Sequence, residues 1–180
     1  MLPVLVVLTL VATPPAPALP ACAQNHPPYV LPTSADEKVL MITGDSRQMY
    51  SKTHYSVFTD GRITYREGEH TRESWLPEED LRALLETALG CGLGKAQDEQ
   101  LREAITRSRP PGEIVKDGGT VTVRITLEEV TYPGESARRP FRHSVSIESP
   151  PSETDLGEIK ALHFIWWHLQ QLIFSEPESR

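Results

Sequence analysis

The sequence predicts an α+β fold in which an antiparallel sheet of about five strands, arranged as two hairpins, is covered on one face by two main helices. Strand-like runs occur in pairs joined by short turns, and helical patterns stand between and after those pairs. No regular strand–helix–strand alternation runs along the chain. Parallel sheets need that alternation because their strands are joined by long crossovers. An antiparallel sheet is therefore expected.

The first hairpin is predicted at THYSVFTDGRITYRE, which begins at Thr53 and follows a strand from Lys38 to Thr43. Asp-Gly between two β-rich runs is the strongest short hairpin signal, since a type I′ turn needs positive φ at both central residues. A two-residue turn would pair Thr59 with Arg62 and direct one face to the core. The expected core face comprises Ser56, Phe58, Ile63 and Tyr65, and the outward face comprises Tyr55, Val57, Thr64 and Arg66.

A helix is predicted after the polar, loop-like segment from Glu67 to Ser74. Pro77 suits the first helical position, and the acidic residues after it meet the positive end of the helix dipole. Leucines at helical spacing follow, and Gly90 is the expected terminating residue. The segment from Lys95 to Arg107 has few apolar positions, so it is either a solvated helix or an irregular excursion.

The second hairpin is predicted from TVTVRITL and FRHSVSIE, in which apolar and polar residues alternate. Such alternation gives one buried and one wet face. The last helix is expected from Asp155 to Phe174, and its second half, HFIWWHLQQLIF, is apolar nearly all round. A helix of that kind is deeply buried or contacts a partner. Trp166 and Trp167 point about 100° apart, and core packing is favoured over a ligand platform for them.

The N-terminal region has the pattern of an export signal. The apolar run from Val4 to Ala12 is too short to cross a bilayer, which needs roughly 20 helical residues. It precedes Ala21-Cys22-Ala23, a cleavage site of small residues. The chain is therefore expected to be periplasmic, outer-membrane-anchored or extracellular, without a transmembrane segment. The expected organisation is a signal peptide over 1–23, a proline-rich tether over 24–35, a single α+β domain over 36–175 and a polar tail over 176–180.

The chain has two cysteines, Cys22 and Cys91. Leu19-Pro20-Ala21-Cys22 resembles the lipobox of bacterial lipoproteins, in which the cysteine is lipidated, although Pro20 departs from that pattern. Cleavage after Ala23 would remove Cys22, and cleavage after Ala21 would anchor it to lipid. Both cases leave Cys91 alone, so no intramolecular disulfide is expected unless the chain is uncleaved or cut elsewhere. A lone Cys91 is more commonly a buried apolar residue than a reactive thiol.

Charge and motifs exclude several classes of function. A formal net charge of −7 at pH 7 repels nucleic acid and anionic lipid. The glycine-rich loop Gly90-Cys91-Gly92-Leu93-Gly94 lacks the Lys-Ser/Thr pair of a phosphate-binding loop. His163 and His168 are five positions apart rather than at the i, i+4 spacing of helical zinc ligands. No cofactor or metal is expected.

The sequence VLMITGDSRQ raises the possibility of a nucleophilic serine at Ser46. Gly44-Asp45-Ser46 resembles the first block of the GDSL, or SGNH, esterases. That family also needs a Gly-x-Asn-Asp block and a late Asp-x-x-His, whereas the single asparagine here is Asn25 and no Asp-x-x-His occurs. A hydroxyl without a base and oxyanion donors is a poor nucleophile. The tripeptide is therefore interpreted as a turn that ends a strand.

A second catalytic possibility is a loose His/Glu cluster at the open end of the first hairpin. The predicted register places His54 opposite Glu67, and His70 is close in sequence. A solvated hairpin base is the favoured interpretation of these residues, because short patterns of this kind occur often without function.

The order of YSVFTDGRITYREG, LPEEDLRALLETA and the later strand pair resembles small bacterial exported or lipoprotein domains of unknown function. The likeness spans residues 36–174 and implies no activity and no site residue. The sequence therefore predicts a non-enzymatic exported or envelope-associated domain that binds a protein or envelope partner. No catalytic, cofactor-binding or metal-binding residue is assigned. The alternative is a small hydrolase that uses Ser46 or the His/Glu cluster.

Overall fold

The structure is a computed structural model that describes residues 18–45, 52–109, 119–151 and 154–174. Within these ranges a six-stranded antiparallel sheet is accompanied by three α-helices and a two-stranded sheet, which confirms the predicted α+β class. The strands are β1 Tyr29–Val30, β2 Lys38–Asp45, β3 Lys52–Phe58, β4 Arg62–Glu67, β5 His70–Trp75, β6 Thr120–Leu127, β7 Glu129–Val130 and β8 Phe141–Glu148; the helices are α1 Glu78–Gly90, α2 Asp98–Ser108 and α3 Gly157–Phe174.

The main sheet has the strand order β5-β4-β3-β2-β6-β8. The hairpin of β6 and β8 has the predicted alternation, with Val123 opposite Val145 and both side chains buried. The prediction of a polar loop from Glu67 to Ser74 is wrong, because most of this segment belongs to the edge strand β5, His70–Trp75. An edge strand exposes most of its side chains and shows no apolar alternation, so its sequence resembles a loop.

The hairpin of β3 and β4 has a register one residue away from the predicted one. Of the turn residues, Gly61 alone has positive φ, at 87°, and its N–H donates to the carbonyl oxygen of Phe58 at 3.0 Å. The connection is therefore the longer type that ends in a left-handed residue. A one-residue slip exchanges the two faces of a strand. The core-facing partners are Tyr55 with Tyr65 and Val57 with Ile63.

The helices supply most of the remaining core. The first and last helices contact each other, and α3 also contacts β5. The sequence does not distinguish a helix from an irregular excursion over residues 95–107, and the structure has the amphipathic helix α2 there, which buries Leu101 and Ile105. This helix lies beside the edge strand β8, where Asp98 Oδ1 accepts a hydrogen bond from the backbone N–H of Ser146 at 3.0 Å. That contact covers part of an otherwise open sheet edge.

The N-terminal segment packs on the domain, so the prediction of a free tether is wrong. A short 3-10 helix, Ala21–Asn25, contacts α1 and buries Ala23. Strand β1 then pairs with β7. Pro27 and Pro32 are buried, because a proline ring is apolar and its fixed φ suits an extended segment laid against a surface.

Cys22 and Cys91 form a disulfide, which is the outcome that the sequence allowed only for a chain that is uncleaved or cleaved elsewhere. The bond joins the 3-10 helix to the end of α1. Gly90 permits this approach, since a Cβ there would lie 2.6 Å from the carbonyl oxygen of Cys22. A lipid anchor on Cys22 is incompatible with this bond, because both need the same sulfur atom. A signal-peptide boundary at residue 23 is also incompatible with it.

No helix in the described ranges is long and apolar enough to cross a bilayer. The predicted signal-peptide run from Val4 to Ala12 and the polar tail over 176–180 lie outside the described residues.

Candidate ligand-binding cleft

A cleft of about 380 Å³ opens between the core-facing side of the sheet and α3. Its floor comes from β2, β3, β4 and β6, and α3 forms a wall. Volumes of this order, with mainly apolar walls and a few polar groups, are typical of small-ligand sites. The aromatic residues that line the cleft are Tyr55, Tyr65, Trp166 and Phe174, and the carboxylates are Asp45 and Glu67.

The four aromatic side chains form a continuous wall. Tyr55 and Tyr65 are Cα partners in the sheet, with ring centroids 4.9 Å apart. The Trp166 ring lies 5.2 Å from Tyr55, and the Phe174 ring lies 5.1 Å from Tyr65. Neighbouring ring planes are inclined by 47° to 73°. Each inclined pair therefore has the favourable geometry of ring quadrupoles.

Gly44 allows Trp166 to approach the sheet. A Cβ at this position would lie 3.0 Å from Trp166 Cη2 and 2.8 Å from Thr53 Oγ1. A glycine inside a strand often marks such a close approach. Gly44 and Asp45 belong to β2, so the interpretation of these two residues as a strand-ending turn is wrong. Ser46 lies outside the described residues.

Hydrogen bonds hold the polar groups of the cleft. The Tyr65 hydroxyl donates to Glu67 Oε2 at 2.6 Å. Burial, assisted by this carboxylate, raises the pKa of Tyr65. Burial also raises the pKa of Tyr55 to about 12, with the hydrogen bond to Gln170 opposing the shift. Both phenols are therefore neutral at physiological pH and keep their O–H donors.

The described charged residues that line the cleft are both acidic. Asp45 Oδ2 lies 3.5 Å from Lys52 Nζ in an exposed ion pair. Glu67 is half-buried and lies on the core-facing side, next to the two tyrosines. At the rim, the Arg72 guanidinium lies 5.0 Å from the centroid of the Phe174 ring. The aromatic wall therefore already holds one cation of the chain itself.

The predicted His/Glu cluster assembles only in part: Glu67 and His70 are Cα partners in the pair of β4 and β5, but His54 is not beside them. His54 pairs with Arg66, not with Glu67. Its Nδ1 lies 3.1 Å from Thr43 Oγ1 on the outer face of the sheet, whereas Glu67 is on the core-facing side. The register slip at Gly61 is the cause. Within the described parts of the chain, no group of three or more His, Cys, Asp or Glu residues is placed to hold a metal ion.

Trp166 and His163 on α3 are both only partly buried. Trp166 packs against the core as predicted, but it is also half-exposed and lines the cleft. Burial lowers the pKa of His163, so this imidazole is neutral at physiological pH. Sequence reasoning missed the contribution of Tyr55 because its register directed this side chain outward.

The chain was compared with models of known protein families and with curated proteins, and nothing matched.

Proposed function

We propose that this chain is an exported, non-enzymatic domain that binds an envelope or protein partner through the aromatic cleft. The observation that carries the proposal is the cleft itself, in which four contacting rings lie beside hydroxyl, amide and carboxylate groups. Rings supply apolar contact area, and a few placed polar groups orient a ligand. The Cys22–Cys91 disulfide supports export, because such bonds persist in oxidising compartments.

Filling the cleft is expected to abolish ligand entry. Val121 lies on the cleft floor and is half-buried, so Val121→Trp would place an indole in the space. The neutral dye N-phenyl-1-naphthylamine, which fluoresces in apolar sites, is expected to bind the wild-type chain saturably at one site. The variant should bind the dye at least about tenfold more weakly, a loss of about 1.4 kcal/mol. Fluorescence titration measures the dissociation constant of the dye for the wild type and for the variant.

Thr122→Trp is the matched control for this substitution. Thr122 is the next residue of β6 and lies on the outer face, where its hydroxyl contacts Ser146 Oγ at 3.1 Å. This variant is expected to bind the dye as the wild type does. Circular dichroism should show that both variants are folded. Equal weakening in the two variants, or full binding by Val121→Trp, would contradict the assignment of the cleft.

We also propose that the signal peptide is cleaved before Cys22, so that the mature chain keeps the disulfide. Ala16-Pro17-Ala18 offers small residues at the two positions that signal peptidase reads. The exported chain is then expected to begin at Leu19. Intact mass spectrometry with alkylation before and after reduction checks this, since two cysteines should become reactive only after reduction. A chain that begins at Gln24, or one lipidated at Cys22, would refute the proposal.

A further inference from the structure

We propose that the open edge of β5 binds an extended segment of a partner protein, which joins the main sheet as an additional strand. The inference goes beyond the proposed function of the cleft, because it concerns the backbone at the sheet edge and not the space between the sheet and α3. It combines three observations: the outward backbone groups of β5, the apolar side chains beside them and the charges that disfavour pairing with a second copy.

The two edges of the main sheet differ. Strand β8 is partly covered by α2, whose Asp98 accepts a hydrogen bond from the N–H of Ser146. Strand β5 is the other edge, and it pairs with β4 through six consecutive residue pairs without a bulge. It contains no proline and no lysine, which together with bulges are common means of blocking an edge. Within the described ranges β4 is its only strand neighbour.

Alternate residues of β5 direct their backbone groups away from the sheet. The N–H of Leu76 donates to the carbonyl oxygen of Gly61 at 2.8 Å, so the backbone of Leu76 faces the β4 side. In an antiparallel pair this orientation recurs at every second residue. The residues in between, Thr71, Glu73 and Trp75, therefore direct their N–H and C=O groups to the open edge. All three are exposed, and an added strand could pair with them.

Apolar side chains lie on both faces of the sheet beside this edge. Trp75 is 59% exposed on the outer face, where it is the Cα partner of Arg62. Phe174 is 48% exposed on the core-facing side, where Arg72 of β5 lies over its ring at 5.0 Å. An added strand places alternate side chains on opposite faces, so it can cover a ring on each face. Backbone pairing then supplies affinity, and the side-chain contacts supply specificity.

The charges of β5 disfavour a second copy of this chain as the added strand. When a strand pairs with itself about a two-fold axis in a continuous sheet, one residue lies opposite its own copy. The two registers with the longest overlap centre on Arg72 and on Glu73, so each brings two like charges together. Like charges directly opposite each other destabilise a strand pair. A strand of a different protein, uncharged at those positions, meets no such repulsion.

The test uses a fluorescently labelled peptide, acetyl-Lys-Val-Thr-Leu-Thr-Val-Lys-amide, whose residues between the lysines favour strands. Fluorescence anisotropy is expected to show saturable binding to the disulfide-bonded chain at one site. The same peptide with every nitrogen between the lysines methylated keeps its side chains and charge but cannot donate hydrogen bonds to a strand. It should bind at least about tenfold more weakly, because several backbone hydrogen bonds are lost.

Glu73→Pro removes an N–H from the open edge but none that bonds to β4, and prolines are tolerated at such positions of edge strands. It should weaken peptide binding at least about tenfold, since its ring also obstructs the added strand. Glu73→Ala is the matched control, because it removes the same side chain and keeps the N–H. It should change peptide binding by no more than about threefold. Trp75→Ala should weaken peptide binding about threefold or more.

Several outcomes would overturn the proposal. Peptide that does not bind, or that binds Glu73→Pro and Glu73→Ala equally, would exclude the edge as the docking site. Equal affinity of the methylated and unmethylated peptides would do the same with wild type alone, even if circular dichroism showed Glu73→Pro to be unfolded. Dimers in size-exclusion chromatography that disappear in Glu73→Pro would show that the occupant is a second copy. Dye binding in the cleft should be unchanged in folded Glu73→Pro, so failure of the edge and failure of the cleft are distinguishable.

Discussion

Replacing Cys22 and Cys91 by alanine is expected to lower the free energy of unfolding by about 3 to 4 kcal/mol. The two residues are 69 positions apart. A cross-link over such a distance removes much of the conformational freedom of the unfolded chain, and the cost of closing a loop rises with its length. Urea denaturation of the double variant and of the oxidised wild type measures the difference.

The disulfide also holds the N-terminal segment on the domain. Its loss should release the 3-10 helix that buries Ala23, so amide hydrogen exchange in Tyr29–Val30 is expected to rise in the double variant. Wild type treated with dithiothreitol should behave like the variant, and dithiothreitol should not affect the variant. Identical urea midpoints for oxidised and reduced wild type would contradict this role of the disulfide.

Gly61→Ala is expected to destabilise the chain by about 3 kcal/mol, because positive-φ strain and a backbone clash add up. The φ of Gly61 is 87°, and a Cβ there would lie 2.4 Å from the carbonyl oxygen of Leu76. That carbonyl cannot move away freely, since the N–H of Leu76 donates to the Gly61 oxygen at 2.8 Å. Urea denaturation of the purified variant checks the magnitude.

Gly68→Ala is the control for this substitution. Gly68 also has positive φ, at 58°, but a Cβ there would meet nothing within 4 Å. Gly68→Ala should therefore lower the free energy of unfolding only by the backbone strain, about 1 kcal/mol. If Gly61→Ala lowers the free energy of unfolding by no more than Gly68→Ala does, then the contact with the carbonyl oxygen of Leu76 does not add to the destabilisation. Because Gly61 sets the register that pairs Tyr55 with Tyr65, its variant should also bind the dye more weakly.

Much of the fold could be predicted because its signals are local. The alternation in β6 and β8 identifies a half-buried hairpin, and the leucine spacing after Pro77 identifies α1. These patterns depend on which face of an element is buried, and each is complete within one segment. Strand β5 had no such signal, because its burial depends on the position of the strand at the sheet edge.

The hairpin register shows how a small local difference changes a site. Asp60-Gly61 indicates a hairpin correctly, but it does not by itself distinguish a two-residue turn from a longer one with only one left-handed residue. The structure has the longer turn, which places Tyr55 in the core-facing row and His54 outside it. Both turns place Gly61 in the left-handed conformation, whereas only the two-residue type I′ turn also requires positive φ at Asp60.

The sequence by itself determined the α+β class, the two hairpins and the helices at either side of the later strands. Only the tertiary structure decided the cleft, since its rings come from the hairpin of β3 and β4 and from α3, and that helix lies far from the hairpin in the chain. The partner of Cys22 was decided in the same way, by the docking of the N-terminal segment at the end of α1. Periodicity records burial within a segment, whereas contacts between distant segments depend on how those segments pack.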